Sequence, residues 1–213
     1  MSNINTRKSD IIWNYIGTIV SMASGFVLLP LLMHFLSSSE LGLWYVYVAL
    51  SNFAMLFEFG FNPTFARNIV YVISGARHLS IEGCDIKSVQ EGIDWHLLNT
   101  VIKASKVIYA ILAVVVLALL STIGSLYISF VASGMDSFDI WVSWGLFCTS
   151  VFLNLYFLWS ITVLRGYGDI AGENKAVVIG RAAQLSVSAI LLLLGYGLVG
   201  AAIGYLANAI LLR

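Results

Sequence analysis

The stretch IIWNYIGTIVSMASGFVLLPLLMHFL, from Ile11 to Leu36, contains no Asp, Glu, Lys or Arg. A helix needs about 20 mostly apolar residues to cross the hydrocarbon core of a bilayer, and this run exceeds that length. Arg7 and Lys8 stand just before it, as basic residues do before a secretory signal. A signal core, however, spans only about 7–15 apolar residues and ends at a small-residue cleavage site. Neither condition holds here, so the run reads as a retained first membrane span.

The chain beyond it repeats the pattern. Of its 213 residues, 60% are hydrophobic and 10% are charged, against about 25% charged in soluble domains. Too few polar groups exist to cover a water-soluble surface, so lipid must be part of the solvent. Six runs qualify as spans: 11–36, 41–73, 107–131, 140–164, 176–194 and 198–213. The second is too long for one straight crossing, and Gly60 and Pro63 predict a kink in it. Ser37 and Glu40 have capping-box spacing, suited to starting the second helix. The one substantial polar stretch, 74–100, reads as a cytoplasmic loop. Within it Ser88 and Glu91 offer another cap, for a helix lying along the membrane surface. The expected fold class is an all-α polytopic membrane protein with six transmembrane helices.

Orientation follows from Lys and Arg, which are retained on the cytoplasmic side. Threading six spans places all eleven basic residues on one face. They are Arg7 and Lys8, then Arg67, Arg77, Lys87, Lys103 and Lys106, then Arg165, Lys175 and Arg181, and finally Arg213. The alternate joints carry only Glu40, Asp136 and Asp139. The N-terminus is therefore expected in the cytoplasm, with Cys84 inside and Ser38 outside.

Other classes find little support. Cys84 and Cys148 make no disulfide framework, and with three scattered histidines they complete no metal site. The patterns GxSxG, P-loop and HExxH are absent, as are a DxD pair and a His-x4-Asp pair. The glycine-rich run from Arg165 to Gly172 follows no strand, which argues against a nucleotide site. Net charge is zero, and neither an enzyme activity nor a nucleic-acid partner is expected.

Ionisable and amide groups inside a bilayer face protein or water rather than lipid. Glu58 lies 17 residues into the second run, roughly 25 Å along a helix at 1.5 Å per residue. It reads either as a proton- or cation-sensitive group in a lumen or as an interfacial carboxylate paired with Arg67. Arg67 and Arg181 sit where spans meet the headgroups; both can snorkel, and both can hold a phosphate oxygen pair. Gln184 lies one turn beyond Arg181 on the same face. Asn14 and Asn154 either line the same cavity or tie helices together by hydrogen bonds. Gly200 and Gly204 form a GxxxG pattern that permits close helix approach. Trp13, Trp44, Trp141 and Trp144 lie near the expected helix ends, as aromatic-belt residues do.

The order of elements from Asn14 to Arg67 resembles the bacterial O-antigen and polysaccharide flippases. The similar features are Asn14, Leu29-Pro30, Ser39-Glu40-Leu41-Gly42-Leu43-Trp44, Phe57-Glu58-Phe59-Gly60-Phe61 and Arg67, with Leu164-Arg165-Gly166 through Asn174 further on. The resemblance implies the multidrug/oligosaccharidyl-lipid/polysaccharide exporter fold, in which two six-helix lobes enclose a central cavity. These 213 residues would then be the N-terminal lobe of a twelve-helix or larger protein, the C-terminal lobe being absent from the sequence. It further implies a multi-pass protein of the bacterial inner membrane. Its cargo would be an undecaprenyl-pyrophosphate-linked oligosaccharide, moved by alternating access. Polysaccharide polymerase and other assembly proteins would be its partners. By position, Arg67 and Arg181 would hold the pyrophosphate. Glu58 would answer an H⁺ or Na⁺ gradient, with no other cofactor. A drug or lipid-intermediate exporter of the same superfamily, or a non-transporting partner in polysaccharide assembly, are the alternatives.

Overall fold

The computed structural model describes residues 8–80, 83–84, 92–134 and 137–211. Helix α1, Lys8–Phe35, covers the first apolar run. Its outward faces are greasy: Ile19, Met22 and Phe26 are each more than half exposed. A patch of that kind is stable only where hydrocarbon covers it.

Helix α2, Ser38–Met55, begins at a complete capping box. The Glu40 N–H donates to Ser37 Oγ at 3.3 Å, and the Ser37 N–H donates to Glu40 Oε2 at 2.8 Å. A short 3₁₀ turn, Leu56–Glu58, then leads into a break. Phe59 and Gly60 are both left-handed, at φ 47° and 78°. Helix α3, Phe61–Ile73, resumes after them. Pro63 sits in its first turn, where a missing N–H costs no ladder bond. The second expected span is thus not one kinked helix from 41 to 73 but two helices separated by a left-handed pair.

Strands β1, Leu79–Ser80, and β2, Gly83–Cys84, pair antiparallel, with Leu79 opposite Cys84. The expected cap at Ser88 and Glu91 lies outside the described residues. Helix α4, Trp95–Leu119, continues through a π turn at Leu120–Gly124 into α5, Ser125–Val131. The third span therefore starts twelve residues before the expected Val107, and no separate surface helix precedes it among the described residues. The 37 residues from Trp95 to Val131 extend roughly 55 Å at 1.5 Å per residue, well past a ~30 Å hydrocarbon core. The polar N-terminal turns carrying Lys103 and Lys106 accordingly emerge from it.

Asp94 sets the start of α4. Its Oδ1 accepts the His96 and Leu97 N–H groups, each at 3.0 Å, and its Oδ2 lies 3.5 Å from Arg77. The Leu97 N–H above all, opposed by desolvation and aided by Arg77 and the His96 N–H, holds this carboxyl below its usual range. A depressed acid supports folding above its unfolded value, and that support disappears as pH falls through the lower folded value. Amide exchange at His96–Leu98 should therefore quicken on acidification below the usual carboxylate range. Asp94→Ala should give the same fast exchange at neutral pH. Asp94→Asn, still a good cap, should remain slow and lose the pH dependence; fast exchange in Asp94→Asn would show that the ion pair, not the cap, matters.

Helix α6, Ser137–Tyr156, breaks at Phe157 and continues as α7, Leu158–Tyr167. Gly168 at φ 78° ends α7, and Asp169 caps α8, Ile170–Leu193. Helix α9, Gly197–Leu211, has 15 residues, roughly 22 Å, short of a full crossing. Five helical segments are long and apolar enough to cross a membrane: Lys8–Phe35, Ser38–Glu58, Trp95–Val131, Phe138–Tyr167 and Ile170–Leu193. The sixth expected span is represented among the described residues by the shorter apolar α9.

Helix α8 lies between α1 and α9, α9 packs on α6, and α6 on α4, while α3 packs on α7 and α4. The larger core joins α1, α2, α4, α6 and α9 around Tyr47, Trp144 and Phe147; a smaller one joins α3, α4 and α7 around Ile69 and Tyr109. Trp44 and Trp144 are 3% and 2% exposed. They are core residues, not belt residues, because the Tyr47 and Phe147 rings lie against both. Trp144 also donates to Ser125 Oγ at 2.9 Å, which satisfies its only polar atom. The GxxxG pair does bring helices together, with Gly204 against Ser188 and the Gln184 carbonyl and Gly200 against Leu191.

Candidate functional site

Arg181 is the unusual residue of the bundle. It sits at the midpoint of Ile170–Leu193, a helix of membrane length, and is half-buried. A guanidinium there is costly unless it faces protein or water. Nη1 donates to Gln184 Oε1 at 3.0 Å, one turn along, and the same oxygen accepts Asn208 Nδ2 at 2.9 Å from α9. Among the described residues no carboxylate pairs with Arg181; the two ion pairs are Arg77–Asp94 and Arg165–Glu173.

Two cavities meet at this arginine. One, of about 210 Å³, is lined by Arg181, Asn154, Asn208, Tyr205, Met55 and neighbouring apolar groups. The other, of about 280 Å³, lies toward α1 and α2 and is lined by Arg181, Gln184, Tyr205, Ser21, Ser24 and Trp44 among others. Tyr205 borders both, its hydroxyl 3.1 Å from Ser51 Oγ. A third cavity, about 810 Å³, opens beside them between α1, α3, α7 and α8. Asn14, Asn174, Arg165 and Glu173 line it, and Ser21 and Val177 connect it to the other two. Shared lining residues set the three side by side along α8, each with polar groups in a largely apolar wall.

No family model, curated protein or solved structure matches the chain.

The six candidate residues are not gathered at one point. Arg181, Gln184 and Asn154 come together, and Asn14 lines the neighbouring large cavity. Neither the Asn14 nor the Asn154 side chain bonds another described residue; the interhelical amide contact comes from Asn208 instead. Glu58 and Arg67 line none of these three cavities. The anticipated pairing of Glu58 with Arg67 is not formed. Glu58 Oε1 instead accepts the Asn62 N–H at 3.0 Å, capping the first turn of α3 across the left-handed break. Arg67 is exposed on α3, which suits the headgroup region. The Tyr109 hydroxyl beside Glu58 and Thr162 is buried without a well-placed hydrogen-bond partner.

Four participants escaped the sequence reading, Tyr205 as an ordinary aromatic of an apolar run. Asn208 is a lone amide in an apolar run, so the rule that selected Asn154 would have found it. Arg165 stands in the sequence as one of eleven basic residues and the start of a glycine-rich run, and no spacing singles out Glu173. Their approach depends on the tight reversal at Gly168, whose positive φ no composition rule reveals. Lys175 lies 5.2 Å from the centre of the Trp13 ring and Lys106 lies 4.0 Å from that of Trp159. These contacts hold two lysines against α1 and α7, the helices that carry Asn14 and Arg165. Among the described residues no three His, Cys, Asp or Glu side chains come together.

Proposed function

We propose that the chain forms the N-terminal lobe of a bacterial inner-membrane flippase that moves a pyrophosphate-linked oligosaccharide by alternating access. One observation carries this reading: Arg181, mid-helix and without a carboxylate partner among the described residues, lines two adjoining cavities. An anionic carrier lipid suits such a site, because a guanidinium holds phosphate oxygens bidentately. Neutral donors at Asn154, Asn208 and Tyr205 suit the hydroxyl-rich sugar behind it. The one-sided distribution of Lys and Arg along the expected spans supports a cytoplasmic N-terminus. Glu58 is the candidate for ion coupling.

The test uses the protein in cells whose surface polysaccharide depends on it. A hydrogen bond to a charged group contributes about 1.5–3 kcal/mol, so Arg181→Ala should cut export roughly 10- to 100-fold while Arg181→Lys retains part of it. Glu58→Gln keeps the acceptor that caps α3 and removes the charge, so loss of export there would mark an ion role rather than a capping one. Normal export by Arg181→Ala at normal protein level would remove the basis for transport. It would favour the reading as a non-transporting partner in polysaccharide assembly.

A further inference from the structure

The Arg165–Glu173 pair faces the large cavity, and its two members are unequal. Arg165, at the end of α7, keeps 49% of its side chain exposed, whereas Glu173, in the first turns of α8, keeps 11%. The contact is a fork: Nε lies 3.0 Å from both carboxylate oxygens, and Nη2 lies 2.6 Å from Oε1. A carboxylate and a phosphate present the same pair of oxygens to a guanidinium. Among the described residues Arg165 is the only cation lining this cavity of about 810 Å³; Asn14, Thr18, Ser21 and Asn174 are its neutral polar lining.

We propose that Arg165 is a phosphate-binding residue whose resident counter-anion is Glu173, so that an incoming phosphate or pyrophosphate takes the guanidinium while Glu173 takes up a proton. The balance is simple. Before binding, the pair is neutral; afterwards the guanidinium faces the phosphate and Glu173 is a neutral acid, with one proton gained per anion bound. A buried carboxylate stripped of its partner is strongly disfavoured, and protonation relieves that penalty. The surrounding charges permit it. Glu58 and Tyr109 stand within electrostatic reach of Arg165 from the 3₁₀ turn and α4. On α8, Asp169 is engaged by the Gly172 N–H, and Lys175 lies over Trp13 of α1. From α1 the polar lining is neutral, Asn14, Thr18 and Ser21, and Arg67 of α3 is exposed and lines none of it. Among the described residues no second cation lines the cavity to hold Glu173 ionised.

This inference takes its cargo chemistry from the transport reading but is read by binding alone. The chain in dodecyl maltoside, which carries no phosphate, would be titrated with inorganic pyrophosphate in weak buffer near neutral pH while proton uptake is recorded. Arg165→Ala should weaken binding at least tenfold, and Arg165→Lys less. Glu173→Gln should bind about tenfold more tightly, within the 5- to 150-fold range usual for coupled sites, and should lack the proton uptake that wild type shows. A merely structural staple would weaken binding or leave it unchanged in Glu173→Gln, and either result overturns the proposal, as does absence of pyrophosphate binding by wild type. Micelles doped with decaprenyl phosphate identify the source: competition with pyrophosphate marks a lipid headgroup, and its absence a free phosphate. Export that needs Arg181 alongside binding indifferent to Arg165 and Glu173 would sink this inference alone. The opposite pattern would sink the transport reading alone.

Discussion

Tyr47→Ala should be the most damaging single core substitution in the chain. Tyr47 is fully buried, and Trp44, Trp144 and Phe147 all lie against its ring. Its hydroxyl donates to the Ile140 carbonyl at 3.2 Å and meets Ser143 Oγ at 3.1 Å, fastening α2 to α6. Truncating a buried aromatic costs about 3–5 kcal/mol in water-soluble proteins. In lipid the transfer part of that cost is small, because hydrocarbon is as apolar as the core, and lost packing dominates. The expected loss is therefore near the lower end, about 3 kcal/mol. Tyr47→Phe keeps the ring and should cost only about 1 kcal/mol, since Ser143 retains its own bond to the Ile140 carbonyl at 2.9 Å. Unfolding in mixed detergent, followed by tryptophan fluorescence, separates the two. Equal losses would mean that the hydroxyl, not the packed ring, joins the helices.

Gly204→Leu should separate α9 from α8. A Cβ at Gly204 would overlap Ser188 Oγ and would lie 2.9 Å from the Gln184 carbonyl oxygen. The first neighbour is a side chain and can rotate; the second is backbone and cannot yield without moving the helix. Overpacking costs typically 1–3 kcal/mol, and here the backbone contact places Leu at the top of that range. Gly204→Ala should be milder, and Ser188→Ala should rescue it in part by removing the hydroxyl. The same shift would pull Asn208 away from Gln184, so Gly204→Leu should also lower any activity that depends on Arg181. Thermal denaturation of the single and double variants checks the order Gly204→Leu, Gly204→Ala, then the double. Full stability in Gly204→Leu would mean that the two helices need no close approach.

The membrane class was legible because it depends on counts over long windows. A run such as 11–36 is long and apolar enough to span the hydrocarbon core whatever its neighbours are. The capping box at Ser37 and Glu40 and the close approach at Gly200 and Gly204 were legible for a related reason: each rests on neighbours within one helical turn or along one helix face. Arg181 and Gln184 shared a face by spacing alone and do so in the fold. Their cavity companions did not follow from spacing, since Asn154, Asn208 and Tyr205 arrive from two other helices.

What only the tertiary structure decided depends on backbone reversals and on which helices become neighbours. The pairing of Arg165 with Glu173 follows the turn at Gly168, and the capping role of Glu58 follows two left-handed residues that separate α2 from α3. Trp44 and Trp144 looked like interfacial residues by position and became core residues because α2, α6 and α9 converge on Trp44 and α2, α5 and α6 on Trp144. Hydropathy is a property of each segment and so can be read along the chain. The partner of a polar group in lipid is a property of the bundle, because the bilayer offers that group no alternative and the fold alone supplies one.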